Sequence, residues 1–188
     1  MNSESKKIFS TQDAVQVAKQ RLPRLIFDFI EGATGREVAA RRNLTRFDEI
    51  TLQPRVMQNV ETRSLKTQFL GHSYDLPFGI APMGMCNLAW PGADQALAEA
   101  AQAFNVPVCL SSAASSSIED MRSWAGKNSW FQLYVGSSME ESLALVDRAH
   151  KAGYENLILT VDVPQVSRRL RDLRNGFQMP FKMTPKLF

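Results

Sequence analysis

Two apolar segments of the sequence each carry two polar residues separated by one position. The segment WFQLYV contains Gln132 and Tyr134, and the segment LTVD contains Thr160 and Asp162. Side chains alternate between the two faces of a β-strand, so each pair shares one face. Polar side chains in a core need hydrogen-bond partners, which are either backbone groups or a ligand. We favour a ligand site, with Asp162 as a functional carboxylate at a strand end.

Two further segments offer contacts to a ligand. In APMGM, which begins at Ala81, Pro82 fixes the backbone and Gly84 carries no side chain, so a flat ligand can approach the main chain. A tight turn between a strand and a helix is the alternative. Ser111 ends another apolar run and offers a hydroxyl to a polar ring or a phosphate, although a solvated serine-rich loop explains it equally well.

A basic stretch follows Asp162. Its cations are Arg168, Arg169, Arg171, Arg174, Lys182 and Lys186. An arginine at the mouth of a site can clamp a carboxylate through two parallel hydrogen bonds. A solvated loop is one alternative. Docking on an anionic membrane surface is another, because phenylalanine, methionine and leucine residues are interleaved with the cations.

The elements that must position these residues alternate regularly. Helical patterns separate four β-type runs, LPFGIAP, VPVCLSS, WFQLYV and NLILTVD. We predict strand ends at Pro82, Ser111, Tyr134 and Asp162. These ends are 29, 23 and 28 residues apart, which suits right-handed crossovers in a parallel sheet. No G-x-G-x-x-G turn follows a strand, and polar residues gather at the strand ends, so we predict an α/β fold of the (β/α)8 TIM-barrel type.

The chain is predicted to have three parts. Residues 1–75 form N-terminal helices and a β-hairpin cap, residues 76–166 form the first half of the barrel, and residues 167–188 form a basic, mobile loop. A complete barrel needs about 250 residues, so four of its eight units fit here. A half-barrel leaves strand edges unpaired. We therefore expect a fragment or one part of a longer enzyme.

The composition disfavours several classes of protein. With 188 residues, of which 44% are hydrophobic and 22% charged, the chain is an ordinary globular sequence. Its net charge of +3 is too small to require a nucleic-acid partner. Cys86 and Cys109 make neither a disulfide framework nor a metal site. The sequence shows neither a signal peptide nor an apolar run of about 20 residues, so we expect a cytoplasmic protein.

Several motifs occur together in a characteristic order. They are RLPRLIFDFIEG, RNLTRFDEITLQPRV, LPFGIAPMG, LSSAAS, WFQLYV and LTVDVPQVSRRLRD. From about Asp13 to Pro180 the chain resembles the N-terminal half of the FMN-dependent α-hydroxy acid dehydrogenases and oxidases, the family of glycolate oxidase, lactate dehydrogenase and mandelate dehydrogenase. The resemblance implies FMN at the carboxyl-end mouth of the barrel and oxidation of a 2-hydroxy acid to the 2-oxo acid.

The resemblance also assigns roles by position. The residues implied to contact FMN are Ala81, Pro82, Met83, Gly84, Ser111, Gln132 and Thr160. Tyr134 is implied to contact the hydroxyl side of the substrate, and Arg169 the substrate carboxylate. Asp162 matches the carboxylate that orients the catalytic histidine, as the acid does in a Ser-His-Asp triad.

Three positions bear on substrate and subclass. Phe29 stands where many members carry a tyrosine that holds the substrate carboxylate, so one hydrogen bond worth about 1 kcal/mol is absent. Gly84 resembles the dehydrogenase-type members, whereas oxidases tend to carry alanine there. Ala113 replaces a tryptophan of glycolate oxidase and leaves room for a larger, lactate- or mandelate-like substrate.

The catalytic histidine of the family lies in a Ser-Asn-His-Gly-Gly motif that this sequence lacks, and neither His72 nor His150 matches it. We therefore expect an FMN-dependent (S)-2-hydroxy acid dehydrogenase that needs a C-terminal half. The alternative is an inactive remnant or an interaction module. The resemblance implies a homotetramer, and peripheral contact with the inner face of a membrane is a further expectation. The sequence does not indicate the electron acceptor.

Overall fold

The computed structural model describes residues 8–162, 165 and 167–177. The helices of this part are α1 (Thr11–Arg21), α2 (Arg24–Glu31), α3 (Val38–Asp48), α4 (Ala93–Ala103), α5 (Ile118–Ala125), α6 (Met139–Lys151) and α7 (Leu170–Asn175). The strands are β1 (Thr67–Phe69), β2 (His72–Tyr74), β3 (Ile80–Met83), β4 (Val108–Ser111), β5 (Ser129–Tyr134) and β6 (Leu157–Thr160). The chain divides into two compact units, residues 1–56 with 165–188, and residues 57–164.

The first unit contains the predicted N-terminal helices. At the start of α1, Ser10 Oγ accepts a hydrogen bond from the Asp13 backbone nitrogen at 3.1 Å and so caps the helix. Helix α2 follows Pro23, and Gly32 follows its last residue. Helix α3 begins at Val38, because Glu37 has a φ of 60° and cannot belong to a right-handed helix.

Helix α7 corrects the prediction for the basic stretch, where only a loop was expected. Arg171 forms an ion pair with Glu37 at 2.6 Å, and Asn175 donates a hydrogen bond to Asp28 at 2.6 Å. These contacts with α2 and the start of α3 hold a helix whose own sequence is too short and too basic to predict one. Residues 178–188 of the predicted mobile loop lie outside the described residues.

The second unit contains a parallel sheet in the order β3-β4-β5-β6. Helices α4, α5 and α6 connect its strands, so the predicted βαβαβαβ succession is confirmed. Strands β4 and β5 end at the predicted residues Ser111 and Tyr134. Strand β6 ends at Thr160, two residues before the predicted end at Asp162, because Thr160 lies opposite the last residue of β5. Strand β3 extends one residue beyond its predicted end, to Met83.

The main core lies between this sheet and its helices. Phe131 and Leu133 of β5 point to the helix side, where Ala98, Met121 and Ala149 from the three connecting helices cover them. Small residues on the helices let them approach the sheet closely. Gln132, which lies between Phe131 and Leu133 in sequence, points to the opposite face, as strand alternation requires.

The predicted hairpin forms from β1 and β2, with Thr67 opposite Tyr74. Its two-residue turn places Leu70 and Gly71 at positive φ, 48° and 79°. The Tyr74 hydroxyl accepts a hydrogen bond from Trp130 Nε1 at 3.2 Å, so the hairpin packs on β5. The hairpin therefore belongs to the unit that contains the sheet, although the sequence analysis grouped it with the N-terminal helices.

No helix in the described part of the chain is both long enough and apolar enough to span a membrane.

Candidate active site

A hydrogen-bonded row of polar side chains crosses three adjacent strands at their carboxyl ends. Gln132 lies in the middle and is only 1% exposed. Its amide oxygen accepts hydrogen bonds from Ser111 Oγ at 3.1 Å and from the Ser112 backbone nitrogen at 3.2 Å. Its amide nitrogen donates to Thr160 Oγ1 at 2.8 Å. The structure thus brings together three of the residues that the resemblance assigned to the flavin.

The register of the sheet explains this row. Ser111 lies opposite Gln132, and Tyr134 lies opposite Thr160. Because Phe131 points into the helix-covered core, its neighbour Gln132 points to the other face. Parallel strands bring their carboxyl ends to one edge of the sheet, so residues distant in sequence meet there.

The row can also serve a ligand. Thr160 accepts its hydrogen bond from Gln132, so its own hydroxyl hydrogen can donate elsewhere. The Gln132 amide has a second hydrogen besides the one given to Thr160. Ser111 Oγ accepts from the Ala113 backbone nitrogen at 3.1 Å, which fixes its orientation. Neutral, oriented donors of this kind suit the polar atoms of a flat ring such as that of FMN.

The segment Ala81–Gly84 provides open backbone beside this row. Ala81, Met83 and Gly84 are exposed at the end of β3. A Cβ atom built on Gly84 would lie 3.3 Å from both Cβ and the carbonyl oxygen of Ala113. This approach is tight, so a side chain at position 84 would push against the neighbouring loop. Gly84 therefore keeps the backbone close to Ala113 and leaves its outer side open to a flat ligand, which also fits FMN.

Two predicted site residues lie further along the strands. Tyr134, the last residue of β5, is 49% exposed, and its backbone nitrogen donates to Ser112 Oγ at 3.2 Å. Asp162 is exposed and follows the end of β6 by two residues. Both side chains are open to a ligand or to further protein. Their assigned roles stay predictions.

The other unit contains the remaining two predicted site residues, Phe29 and Arg169. The guanidinium carbon of Arg169 lies 5.1 Å from the centre of the Phe29 ring. Its Nη2 atom donates to the backbone carbonyls of Phe29 and Gly32, the latter at 2.5 Å. Carbonyls in the last turn of a helix lack partners and carry partial negative charge, so a cation there stabilises the end of α2.

Phe29 has a second aromatic contact. Its ring stacks on that of Phe177, with 4.5 Å between ring centres and 17° between planes. The Arg169 Nε atom lies 3.2 Å from Asp172 Oδ2. Arg169 therefore caps the carboxyl end of α2 in this structure. Its contact with a substrate carboxylate stays a prediction.

Sequence reasoning missed Asp94, which is only 3% exposed although it is a carboxylate. It lies in the first turn of α4 and accepts a hydrogen bond from the Ser115 backbone nitrogen at 3.2 Å. Burial, followed by the Asp94 carboxylate, raises the pKa of the Cys86 thiol to about 11. Burial raises the pKa of Cys109 to about 12. Both thiols are therefore protonated at neutral pH and poor nucleophiles.

The sequence of this chain is similar to a known protein family and to several of its members. The family described as FMN-dependent dehydrogenase matches residues 18–188. (S)-Mandelate dehydrogenase from Pseudomonas putida is 34% identical over 183 residues, which cover 97% of this chain and 46% of that protein. A putative L-lactate dehydrogenase from Mycobacterium tuberculosis (strain ATCC 25618 / H37Rv) is 38% identical over 174 residues, covering 92% of this chain and 42% of that protein.

Solved structures of (S)-mandelate dehydrogenase have a fold similar to that of this chain. A soluble mutant of the membrane-associated (S)-mandelate dehydrogenase from Pseudomonas putida superposes with a TM-score of 0.88 at 36% identity, covering 96% of this chain and 51% of that chain. The monotopic membrane protein (S)-mandelate dehydrogenase gives a TM-score of 0.89 at 34% identity, covering 96% and 48%.

The chain spans about half the length of the curated relatives it matches. Its parallel sheet and connecting helices are part of a (β/α)8 barrel, as predicted. The family model matches most of the sequence, and the fold agrees with it. This chain belongs to the FMN-dependent dehydrogenase family.

Proposed function

We propose that this chain is the N-terminal, FMN- and substrate-contacting part of an enzyme that oxidises a 2-hydroxy acid to the 2-oxo acid. The row of Ser111, Gln132 and Thr160 carries this proposal, because it presents oriented neutral donors at the carboxyl edge of a parallel sheet. Relatives named mandelate, lactate and glycolate enzymes support catalysis over the alternative of an inactive interaction module.

FMN, when bound, accepts two electrons from the substrate carbon. The backbone of Ala81, Pro82, Met83 and Gly84 borders one side of the ring. The side chains of Ser111, Gln132 and Thr160 hydrogen-bond its polar atoms. The buried, pre-bonded state of Gln132 supports this role, since its donors are already oriented before the ring arrives.

The substrate contacts follow from the family positions. Tyr134 hydrogen-bonds the hydroxyl side of the substrate, and Arg169 holds its carboxylate beside Phe29. Asp162 orients and stabilises the charged form of a histidine base, which the family carries in its C-terminal half. Tyr134 and Asp162 are both exposed in this chain, which supports a substrate site that the C-terminal half completes.

We assign the substrate to the lactate- or mandelate-like (S)-2-hydroxy acids. Ala113 has a single methyl group and leaves space for an aromatic or branched side chain. Gly84 supports the dehydrogenase type, in which an acceptor other than oxygen takes the electrons from the flavin.

We also propose how the chain is organised and where the protein is located in the cell. Residues 1–75 supply the helices and hairpin cap, residues 76–166 the first half of the barrel, and residues 167–188 a basic segment that contacts an anionic surface. The protein is cytoplasmic and peripheral at the inner face of the membrane, as a homotetramer. A structural relative described as a monotopic membrane protein supports membrane contact.

Reconstitution tests the proposed function. The 188-residue chain is produced together with the C-terminal half of Pseudomonas putida (S)-mandelate dehydrogenase and supplied with FMN. We expect a yellow complex that reduces a dye in the presence of (S)-mandelate or L-lactate. A complex that forms but neither retains FMN nor reduces the dye would contradict the proposal.

A further inference from the structure

Two loops meet at the carboxyl edge of the sheet in the second unit. The first loop, residues 84–92, joins β3 to α4, and the second loop, residues 112–117, joins β4 to α5. The Met85 backbone nitrogen donates to the carbonyl oxygen of Ala113 at 3.0 Å. The Asn87 backbone nitrogen donates to Ser115 Oγ at 3.2 Å. Each loop therefore holds the other through two hydrogen bonds.

A buried carboxylate lies beneath both loops. Asp94, 3% exposed, lies in the first turn of α4, directly after the first loop, and accepts from the Ser115 backbone nitrogen of the second loop at 3.2 Å. A buried carboxylate is costly unless it is hydrogen-bonded, so loss of this contact carries a strong penalty. Asp94 thus favours the arrangement in which Ser115 stays close to the start of α4, where the first loop ends.

Both loops adjoin residues proposed to border the flavin, because the first loop begins with Gly84 and the second follows Ser111. Gly84 approaches Ala113 so closely that a Cβ atom would lie at 3.3 Å, and Ser111 Oγ accepts from the Ala113 backbone nitrogen. A small separation of the loops would move the backbone at Gly84 away from the Ser111 hydroxyl. The flavin contacts on β3 and β4 therefore depend on the closure of the two loops.

We propose that Asp94 is a positioning residue for FMN, which holds the first loop to the second and so fixes the backbone at Gly84 relative to Ser111. This inference rests on the proposed function. Asp94 contacts neither substrate nor flavin in this scheme. It acts through the Ser115 backbone nitrogen, and its effect appears as the geometry and affinity of the bound ring.

Two substitutions of Asp94 test the proposal in the reconstituted complex. Asp94→Ala removes the acceptor for Ser115, and we expect FMN to bind about tenfold more weakly with an altered visible circular dichroism. Asp94→Asn retains a carbonyl acceptor for Ser115, and we expect FMN affinity within about threefold of the wild type. FMN fluorescence gives the affinities.

Amide hydrogen exchange of the 188-residue chain without FMN gives a second readout. We expect Asp94→Ala to accelerate exchange at Met85 and Asn87, whose partners lie in the second loop. Asn128→Ala is the matched control, because Asn128 is 4% exposed and donates to the Ala101 carbonyl at the other end of α4. It removes a buried hydrogen bond of the same helix without touching the loops.

The outcomes separate the two proposals. A wild-type complex that retains no FMN overturns the proposed function and this inference with it. A wild-type complex that binds FMN, with an Asp94→Ala variant that binds it equally well, overturns the inference alone. An equal loss of affinity in Asn128→Ala also overturns it, because destabilisation then explains the effect. If Asp94→Ala does not fold, Asp94→Ser decides, because its shorter side chain withdraws the acceptor from the Ser115 backbone nitrogen; we expect a loss of about threefold, and wild-type affinity in this variant overturns the inference.

Discussion

Gln132 occupies a place that suits an amide better than a hydroxyl or a carboxylate. Its oxygen accepts from a serine hydroxyl and a backbone nitrogen, while its nitrogen donates to Thr160. A hydroxyl could not reach both neighbouring strands, and a carboxylate could not donate to Thr160 unless it were protonated. The amide therefore connects β4 to β6 without placing a charge in a buried position.

Gln132→Leu tests this residue directly. Leucine keeps most of the volume but leaves Ser111 Oγ without its acceptor and Thr160 Oγ1 without its donor, while the Ser112 backbone nitrogen keeps its bond to the backbone carbonyl of residue 132. We expect the free energy of unfolding to fall by about 2 kcal/mol and FMN affinity in the reconstituted complex to fall at least about tenfold. Urea titration and FMN fluorescence measure the two effects.

Gln95→Leu is the control for this substitution. Gln95 donates to Glu99 at 2.8 Å on the exposed side of α4, so its loss leaves no buried group unpaired. We expect little change in either quantity. Equal stability and FMN affinity in the Gln132 and Gln95 variants would show that the row does not hold the ring.

Phe29→Tyr tests the proposed substrate contact. The phenol would restore the hydroxyl that many family members use toward the substrate carboxylate. We expect the KM of the reconstituted enzyme for (S)-mandelate to fall about fivefold, as one hydrogen bond implies, with kcat little changed. Phe27→Tyr on the same helix is the control, and a KM that responds equally to both changes would contradict a specific role of position 29.

Helix α7 shows how a short element depends on ion pairs. Asp28 receives a hydrogen bond from Asn175, which holds the pKa of its carboxyl below the usual value. The Arg171 hydrogen bond lowers the pKa of Glu37 in the same way. The carboxyl pKa values are lower in the folded chain than in the unfolded chain. Both contacts therefore contribute their full stability at pH values above the unfolded pKa values, near 4. This stability is lost as the pH falls through the folded-state pKa values.

Acidification should therefore release α7 before the sheet unfolds. Between neutral pH and pH 5 we expect the contact between the Phe29 and Phe177 rings to persist, and below about pH 4 we expect it to weaken. Ring-to-ring nuclear Overhauser effects follow this change, and Trp130 fluorescence reports on the sheet. In the Arg171→Leu variant, acidification should weaken the contact between the two rings less than it does in the wild type. A ring contact that is unchanged to pH 2.5 would contradict the role of the ion pairs.

The hairpin depends on the conformation of its turn. Gly71 has a φ of 79°, and nothing lies within 4 Å of a Cβ atom built on it. Gly71→Ala therefore acts through backbone strain alone, and we expect a loss of about 1 kcal/mol in the free energy of unfolding. Gly136→Ala is the control, since its Cβ would make an ordinary 3.7 Å contact with Ser142 Oγ. Thermal unfolding followed by Trp130 fluorescence compares the two, and equal melting temperatures would contradict the assigned strain.

At the scale of the molecule, the sequence predicted the alternation of strands and helices well. Apolar runs of strand length were separated by helical patterns, and right-handed connections leave few arrangements for such an order. The candidate row was predicted in part, since alternation placed Gln132 and Tyr134 on one face. The hydrogen bond from Gln132 to Thr160 required the register, which no local pattern specifies.

The less predictable features depend on contacts distant in sequence. Arg169 donates to Phe29 and Gly32, more than 130 residues earlier, so its position beside α2 has no local pattern. Helix α7 forms where cations indicated a loop, because its Arg171 pairs with Asp28 of α2 and with Glu37, which precedes α3. Asp94 resembled an ordinary first-turn acid, and only its burial distinguished it.

The outer face of β6 is where we expect the proposed C-terminal half to pack. Leu159 lies opposite Leu133 in the sheet register, so both side chains point to the helix side. Leu133 is buried at 5% exposure, whereas Leu159 is 51% exposed. Leu143, on the surface of α6, is 59% exposed and provides a comparison outside the sheet.

Leu159→Ser should therefore weaken assembly without weakening the chain itself. An exposed leucine contributes little to the folding of this half, but its burial by a helix of the C-terminal half is worth about 2 kcal/mol. We expect the affinity of the chain for that half to fall at least about tenfold, with the melting temperature of the chain unchanged. Leu143→Ser should alter neither. If both variants assemble like the wild type, the C-terminal half does not cover β6 in the way that a continuous barrel requires.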